Sequence, residues 1–127
     1  MHWADYTAQR LMERGGKQVS ASGITPSGEF HIGHLREILS AEMIHRACLD
    51  AGMSSKYIFI VDSMDPLRRV YDFLSPEYEE FIGCPLAYIP APEEDGSPGD
   101  GSVTYANHFL SPFLEALEQI GVRPEVV

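Results

Sequence analysis

The period of the apolar positions changes several times along the chain, and each change marks an element. Trp3, Tyr6 and Leu11 recur at helical intervals together with Thr7, Arg10 and Arg14, and Gly15-Gly16 follows as a stop. This spacing predicts a short helix from Trp3 to Arg14. Gln18 to Ser22 is a strand of small residues that runs into Gly23-Ile24-Thr25-Pro26-Ser27-Gly28, a loop by its glycine, proline and serine content. From His31 to Ala51 the pattern is helical again. One stripe is Ile32, Leu35, Leu39, Met43 and Ala47, and a second is Ile38, Ala41, Ile44 and Cys48. A helix apolar on two sides packs between layers, and Gly52 ends it. Tyr57-Ile58-Phe59-Ile60-Val61 is a continuous β-branched and aromatic run, the pattern of a buried parallel strand.

Downstream, Pro66 to Tyr71 and Pro76 to Ile82 read as short helical pieces. Residues 84–102 hold four of the nine prolines and the run Gly96-Ser97-Pro98-Gly99-Asp100-Gly101, which predicts an exposed, flexible loop over about 90–103. Ala106, Phe109, Leu110, Phe113, Leu114 and Leu117 follow helical spacing, with Pro112 expected to kink that helix or start a new one. Gly121 stops it, and Val122 to Val127 approaches another strand. The order β-α-β-α-β predicts an α/β fold, a parallel sheet covered by helices and joined by right-handed crossovers. Ligands of such sheets bind at the carboxyl ends of the strands, here Gly23–Gly28 and Asp62–Asp65.

Composition narrows the setting. The chain has 127 residues, enough for one domain and hardly two, and is 44% hydrophobic with a formal net charge of −10. No apolar run approaches the roughly 18–20 residues of a membrane span. The start, Met1-His2-Trp3-Ala4-Asp5, lacks a basic segment followed by an apolar one, so a cytoplasmic protein without a secretory leader or membrane contact is expected. The acidic balance, with only Lys17 and Lys56 as lysines, argues against a general nucleic-acid binder. It leaves room for a nucleotide site, which needs a few well-placed donors. Cys48 and Cys84 form neither a C-x-x-C pair nor a zinc spacing and read as reduced cysteines without a special role.

The chemistry concentrates in Gly23-Ile-Thr-Pro-Ser-Gly28-Glu-Phe-His31-Ile-Gly33-His34, between a strand and a helix. A helix N-terminus exposes unpaired N–H groups and a partial positive charge. Gly23 and Gly28 let the backbone turn and approach a ligand. His31 and His34, three apart, share one face of the first turn, and two imidazoles there can donate to phosphate oxygens. Gly33 removes a side chain where a flat base can lie. A lone H-x-x-H is a weak signal, and zinc pairs on helices usually stand four apart with a further ligand. The whole twelve-residue string points instead to a nucleotide phosphate site with no protein-bound metal.

Pro26-Ser27-Gly28-Glu-Phe-His31-Ile-Gly33-His34 resembles the HIGH signature of class I aminoacyl-tRNA synthetases. His2-Trp3-Ala4-Asp5, Ser22 to Gly28, Leu35-Arg36-Glu37, Asp65-Pro66-Leu67-Arg68-Arg69-Val70-Tyr71 and Tyr105-Ala106-Asn107-His108-Phe109-Leu110 are similar to strings of the archaeal class I lysyl-tRNA synthetases. The resemblance runs from residue 2 to the end. It implies a Rossmann-like parallel sheet with flanking helices, the first half of a class I catalytic domain, and a reaction in which L-lysine and ATP, the ATP carried with Mg2+, form lysyl-adenylate before transfer to tRNA(Lys). By position it implies His31 and His34 as catalytic donors. Pro26, Ser27, Gly28, His31, Gly33 and His34 would form the ATP site, and Gly23, Thr25 and Asp62 would border lysine, Asp62 as partner of an ammonium. Asp62 reads equally as a solvated strand-end carboxylate, and Thr25 and Ser27 as hydroxyls bonded to their own backbone.

Some positions depart from that family. His34 stands where many members have Asn, and Glu93 to Gly101 replaces a loop that often carries cysteines. No lysine-rich KMSKS-type loop and no anticodon-binding domain follows within residues 1–127, all of which read as the N-terminal part of the catalytic domain. The chain alone is therefore expected to be inactive and to expose an apolar strand edge. A stand-alone H-x-G-H nucleotidyltransferase and a non-catalytic nucleotide-binding module remain as alternatives. The first usually carries an acidic residue where this chain has Thr25-Pro26-Ser27-Gly28.

Overall fold

A computed structural model describes all 127 residues. The elements are α1 (Trp3–Arg14), β1 (Gln18–Ile24), α2 (Ile32–Asp50), β2 (Ser55–Val61), a 3-10 helix (Pro76–Phe81), α3 (Tyr105–Gln119) and β3 (Glu125–Val126). Three strands form one parallel sheet in the order β1-β2-β3, so the α/β alternation expected from the sequence holds. The chain divides into two compact units. The first holds Met1–Ile24, His31–Val61 and Ile120–Val127; the second holds Thr25–Phe30 and Asp62–Gln119.

In the first unit α2 packs on β1 and β2, and α1 packs on α2. The helix pair meets through small residues: Ala4, Ala8, Ala47 and Cys48 are buried, with Leu11, Ile44 and Met53 packed around them. Such side chains let two helices approach closely while excluding water. β1 runs two residues beyond the expected Ser22, because Gly23 and Ile24 pair in register with Ile60 and Val61. β2 is not buried along both faces as its continuous apolar run suggested. Tyr57 and Phe59 are buried, and the Tyr57 hydroxyl reaches the Ile38 carbonyl of α2, so that face is the covered one. Ile60, on the opposite side of the pleat, is 39% exposed.

On α2, Ile38 and Cys48 of one stripe and Ala47 of the other are buried, while Ile32 and Met43 are exposed. Two polar residues enter the core, Ser22, whose hydroxyl pairs with the Tyr57 hydroxyl at 2.6 Å, and Glu42 of α2. Glu42 is 7% exposed and accepts from Arg46 Nε at 2.6 Å. The same guanidinium donates to the Gly121 carbonyl at 2.8 Å, tying α2 to the turn before β3. Burying this carboxylate is tolerable because it is paired and the pair's cation stays half in water.

The second unit has its own core of Leu67, Leu74, Tyr78, Leu86, Ile89, Tyr105, Ala106 and Phe109. Pro66 to Tyr71 is not the expected helix. Leu67 exchanges both backbone bonds with the 83–84 segment, its N–H donating to Cys84 O and its carbonyl accepting from Gly83 N, and Pro66 bridges Pro85. Pro76–Phe81 is helical but of the tighter 3-10 kind. α3 passes through Pro112 without a break. The proline sits on the exposed side, where the carbonyl left without a partner can bond water. Residues 90–103, expected as a loop, are folded on themselves: Ala91 N–H donates to Val103 O, Gly99 N–H to Ala91 O, and Glu93 N–H to Ser97 O.

Candidate active site

The sequence candidates fall into two groups, one in each unit. In the first unit His31 caps α2 with an extended backbone (φ −130, ψ 178). Its Nδ1 accepts from the Gly33 N–H at 3.0 Å, while His34 Nδ1 accepts from the His31 N–H at 3.1 Å. The two side chains thus form a reciprocal capping box, a role usually taken by a hydroxyl and a carboxylate. An imidazole nitrogen that accepts carries no proton, so each neutral ring holds its hydrogen on Nε2. The rings lie 4.0 Å apart between centroids. Burial and the neighbouring His31 ring hold the His34 pKa below the usual histidine value, outweighing the opposite pull of Glu37. A neutral Nε2–H donor is therefore the resting state of His34 at neutral pH.

This geometry narrows the anion-site expectation, because the Gly33 N–H is already taken by His31. It also gives Gly33 a second role. A Cβ there would come within 2.8 Å of His31 Cε1, so the glycine makes room for the capping ring. Gly23, at the end of β1, is exposed, and its N–H points at Glu37 Oε1 at 3.4 Å.

In the second unit the Thr25–Gly28 loop is fixed from several sides. Pro26 is fully buried, and the Ser27 N–H donates to the Thr25 carbonyl at 2.8 Å, closing a tight turn around it. The Tyr105 hydroxyl donates to the Ser27 carbonyl at 2.6 Å. Thr25 Oγ1 donates to Asp65 Oδ2 at 2.7 Å. The Thr25 hydroxyl is therefore bonded to a side chain rather than to its own backbone. Ser27 and Gly28 line an open cleft of about 510 Å3 walled by Tyr71, Phe73, Glu93 and Phe109. Asp62 is exposed, and its backbone carbonyl accepts from Asp65 N–H at 3.2 Å. Burial pushes the Tyr105 phenol far above its ordinary range and the Tyr78 phenol up to about 12, so both are fixed donors.

The family model for class I (K) tRNA synthetases matches residues 1–127. The chain belongs to the class I (K) tRNA synthetases. It is 46% identical to lysine–tRNA ligase 1 of Methanosarcina acetivorans over 100% of its own length and 23% of the relative's. It is 48% identical to the lysine–tRNA ligase of Archaeoglobus fulgidus, over 99% of the chain and 24% of the relative. The enzyme of that name from Methanocaldococcus jannaschii is 46% identical over 97% of the chain and 22% of the relative. The chain thus spans about a quarter of the length of the curated relatives it matches.

Three residues that hold the site were not singled out from the sequence of this class I (K) chain. Asp65, Tyr105 and Glu37 all lie in strings that carried the family resemblance, yet their partners stand 40, 78 and 14 positions away. Periodicity says nothing at such separations. The available signal was the presence of polar groups inside those strings without a local bonding role.

Proposed function

We propose that this chain supplies the ATP- and lysine-handling segment of a lysine–tRNA ligase acting in the cytoplasm. The observation that carries the reading is the reciprocal histidine cap at the start of α2, which holds the two imidazole rings 4.0 Å apart between centroids. In the proposed reaction a carboxylate oxygen of L-lysine attacks the α-phosphorus of MgATP. The bond to the β-phosphate bridging oxygen breaks, and lysyl-adenylate and pyrophosphate form. The lysyl group then passes to a hydroxyl of the terminal adenosine of tRNA(Lys).

In this reading His31 and His34 donate from Nε2 to oxygens on which negative charge grows during attack. Donors of this kind are worth about 3–4 kcal/mol each in the transition state, since they are already oriented. Pro26, Ser27 and Gly28 shape the turn beside the nucleotide, and Gly33 leaves room for adenine as well as for the His31 ring. Gly23, Thr25 and Asp62 border lysine. Mg2+ enters as part of the nucleotide. The net charge of −10 argues against a general basic surface for tRNA on this segment, and in this reading tRNA(Lys) is held mostly through regions of the relatives that the segment does not cover.

The test is a chimera in which these residues replace the matching segment of the Methanosarcina acetivorans relative, assayed by lysine-dependent ATP–pyrophosphate exchange. Exchange is expected with lysine, and His31→Ala or His34→Ala should each slow it about 100- to 1000-fold. Exchange with arginine or glutamate but not lysine overturns the reading. So does an ATP titration of the labelled 127-residue protein that shifts signals near Ser97 and leaves His31 and His34 untouched.

A further inference from the structure

We propose that Asp65 is a positioning residue that makes the Thr25 hydroxyl an obligate acceptor for the ammonium group of the substrate. A threonine hydroxyl has one proton to donate and two lone pairs that accept. Here the proton is committed to Asp65 Oδ2 at 2.7 Å. An ionised carboxylate cannot donate in return, so the direction of this bond is fixed. The lone pairs that remain on Thr25 Oγ1 can meet only an N–H or O–H donor. A phosphate or carboxylate oxygen brought to the same place would face lone pairs with a carboxylate charge behind them. The Asp65–Thr25 pair therefore selects a donor, and a positively charged one above all: a primary ammonium.

The surroundings hold both partners in place. Thr25 cannot slide away from Asp65, because its carbonyl accepts from Ser27 N–H and the Ser27 carbonyl accepts from Tyr105. The backbone of Asp65 is tied at both ends, its N–H to Asp62 O and its carbonyl to Leu86 N–H at 3.0 Å. The nearest cation, Arg68, lies 4.0 Å from Oδ2 with its side chain 75% exposed. An exposed guanidinium at that range is well solvated and leaves most of the carboxylate field intact. Asp62, three residues earlier, adds a second carboxylate at the same strand end.

The inference rests on the proposed reading of Thr25 as a lysine-contacting residue, and the experiment separates the two. The labelled 127-residue protein is titrated with L-lysine, with 6-aminohexanoate, which lacks the α-ammonium, and with norleucine, which lacks the ε-ammonium. Shifts of the backbone amide signals from residues 24 to 28 that are present in every variant give the dissociation constants. Asp65→Ala should weaken lysine about tenfold or more, the usual consequence of losing a charge-assisted contact. Asp65→Asn, which still offers an oxygen to Thr25, should recover part of that loss. Thr25→Val should match Asp65→Ala, and Thr25→Ser should restore binding toward the original. The monoamine whose affinity falls with Asp65→Ala identifies which ammonium Thr25 receives. A parallel ATP titration read at His31 and His34 should move far less than the lysine constant. Lysine bound equally by the unsubstituted protein and Asp65→Ala overturns the assignment while leaving the lysine reading standing. A uniform loss toward lysine, norleucine, 6-aminohexanoate and ATP marks a merely structural residue and overturns it too. An unsubstituted protein that takes up no lysine overturns the lysine reading and this inference together.

Discussion

In the first unit the buried apolar residues, Val122 apart, arrive on regular elements: Ala4 and Ala8 on α1, Ile24 on β1, Ile38, Ala47 and Cys48 on α2, Tyr57 and Phe59 on β2. In the second, Tyr105, Ala106, Phe109 and Leu117 of the nine buried apolar residues lie on an α-helix. Leu67, Leu74, Leu86 and Ile89 come from irregular backbone. The two units therefore satisfy their polar backbone differently. A helix or sheet repeats one bond, so neighbours share the cost of a loss. The second unit relies on single bonds between distant segments, such as Ser75 N–H to Gly96 O, Ala87 N–H to Ser63 O and Tyr105 N–H to Ile89 O. A unit built this way holds a loop rigidly, and the Thr25–Phe30 loop belongs to it. It also has no spare bonds when one anchor goes.

The largest effects that can break this contrast come from one aromatic residue in each unit. Phe59→Ala and Tyr105→Ala each empty a fully buried site and should cost about 3–5 kcal/mol. The exchange of backbone amides with heavy water should separate them. Phe59→Ala is expected to speed exchange first in β1 and β2, and Tyr105→Ala first at Ser27, Tyr78 and the 86–106 segment. If both raise exchange at the same amides to the same degree, the two units unfold as one and the contrast fails.

A smaller effect tests how the irregular unit is held. Gly96 (φ +84) and Gly101 (φ +82) share a left-handed backbone, which costs a residue with a Cβ about 1–2 kcal/mol. Their surroundings differ. A Cβ on Gly96 would meet the Phe73 carbonyl oxygen at 2.6 Å, while one on Gly101 meets nothing within 4 Å. Gly101→Ala should therefore cost only the backbone term. Gly96→Ala should cost more, at least about 2 kcal/mol, because the oxygen it strikes is backbone fixed by the Ser75–Gly96 bond. Melting curves of the two variants measure the difference. Equal losses would show that the 73–75 segment yields, contrary to a unit held by single fixed bonds.

The same division explains what the sequence could disclose. α1 was legible to the residue, and α2, β2 and α3 to within two residues or so, because each repeats a period that water imposes on a half-buried element. Pro66 to Tyr71 misled, since Leu67, Val70 and Tyr71 imitate a helical turn while the backbone bonds Gly83 and Cys84 instead. For the candidate site, the string from Gly23 to His34 disclosed the strand–loop–helix junction and the paired imidazoles. It could not disclose that His31 and His34 cap their own helix. Nor could it show that Asp65 and Tyr105 hold the loop from 40 and 78 residues away. Local spacing carries the helical face on which a side chain lies, and the folded chain alone decides which atom accepts.

The smallest effect sharpens the contrast at the helix start, where a repeated element also ends in single bonds. His34 Nδ1 accepts from the His31 N–H, and only the neutral ring can do so. Burial and the His31 ring lower the His34 pKa in the folded chain, so between that lowered value and the ordinary 6.5 the unfolded chain binds more protons. Stability then rises with pH across this window. The contribution is complete above about 6.5 and is lost as the pH falls through the lowered value, when Nδ1 gains a proton and faces another donor. Caps are typically worth about 1 kcal/mol, which bounds the effect. His34→Asn supplies a side-chain oxygen that can accept the same bond and does not titrate. Denaturant unfolding between pH 7.5 and 5 should show the extra acid loss in the unsubstituted protein and its disappearance in His34→Asn, with carboxylate effects at lower pH common to both. Identical profiles would mean that the His34 ring is not the acceptor that closes the cap.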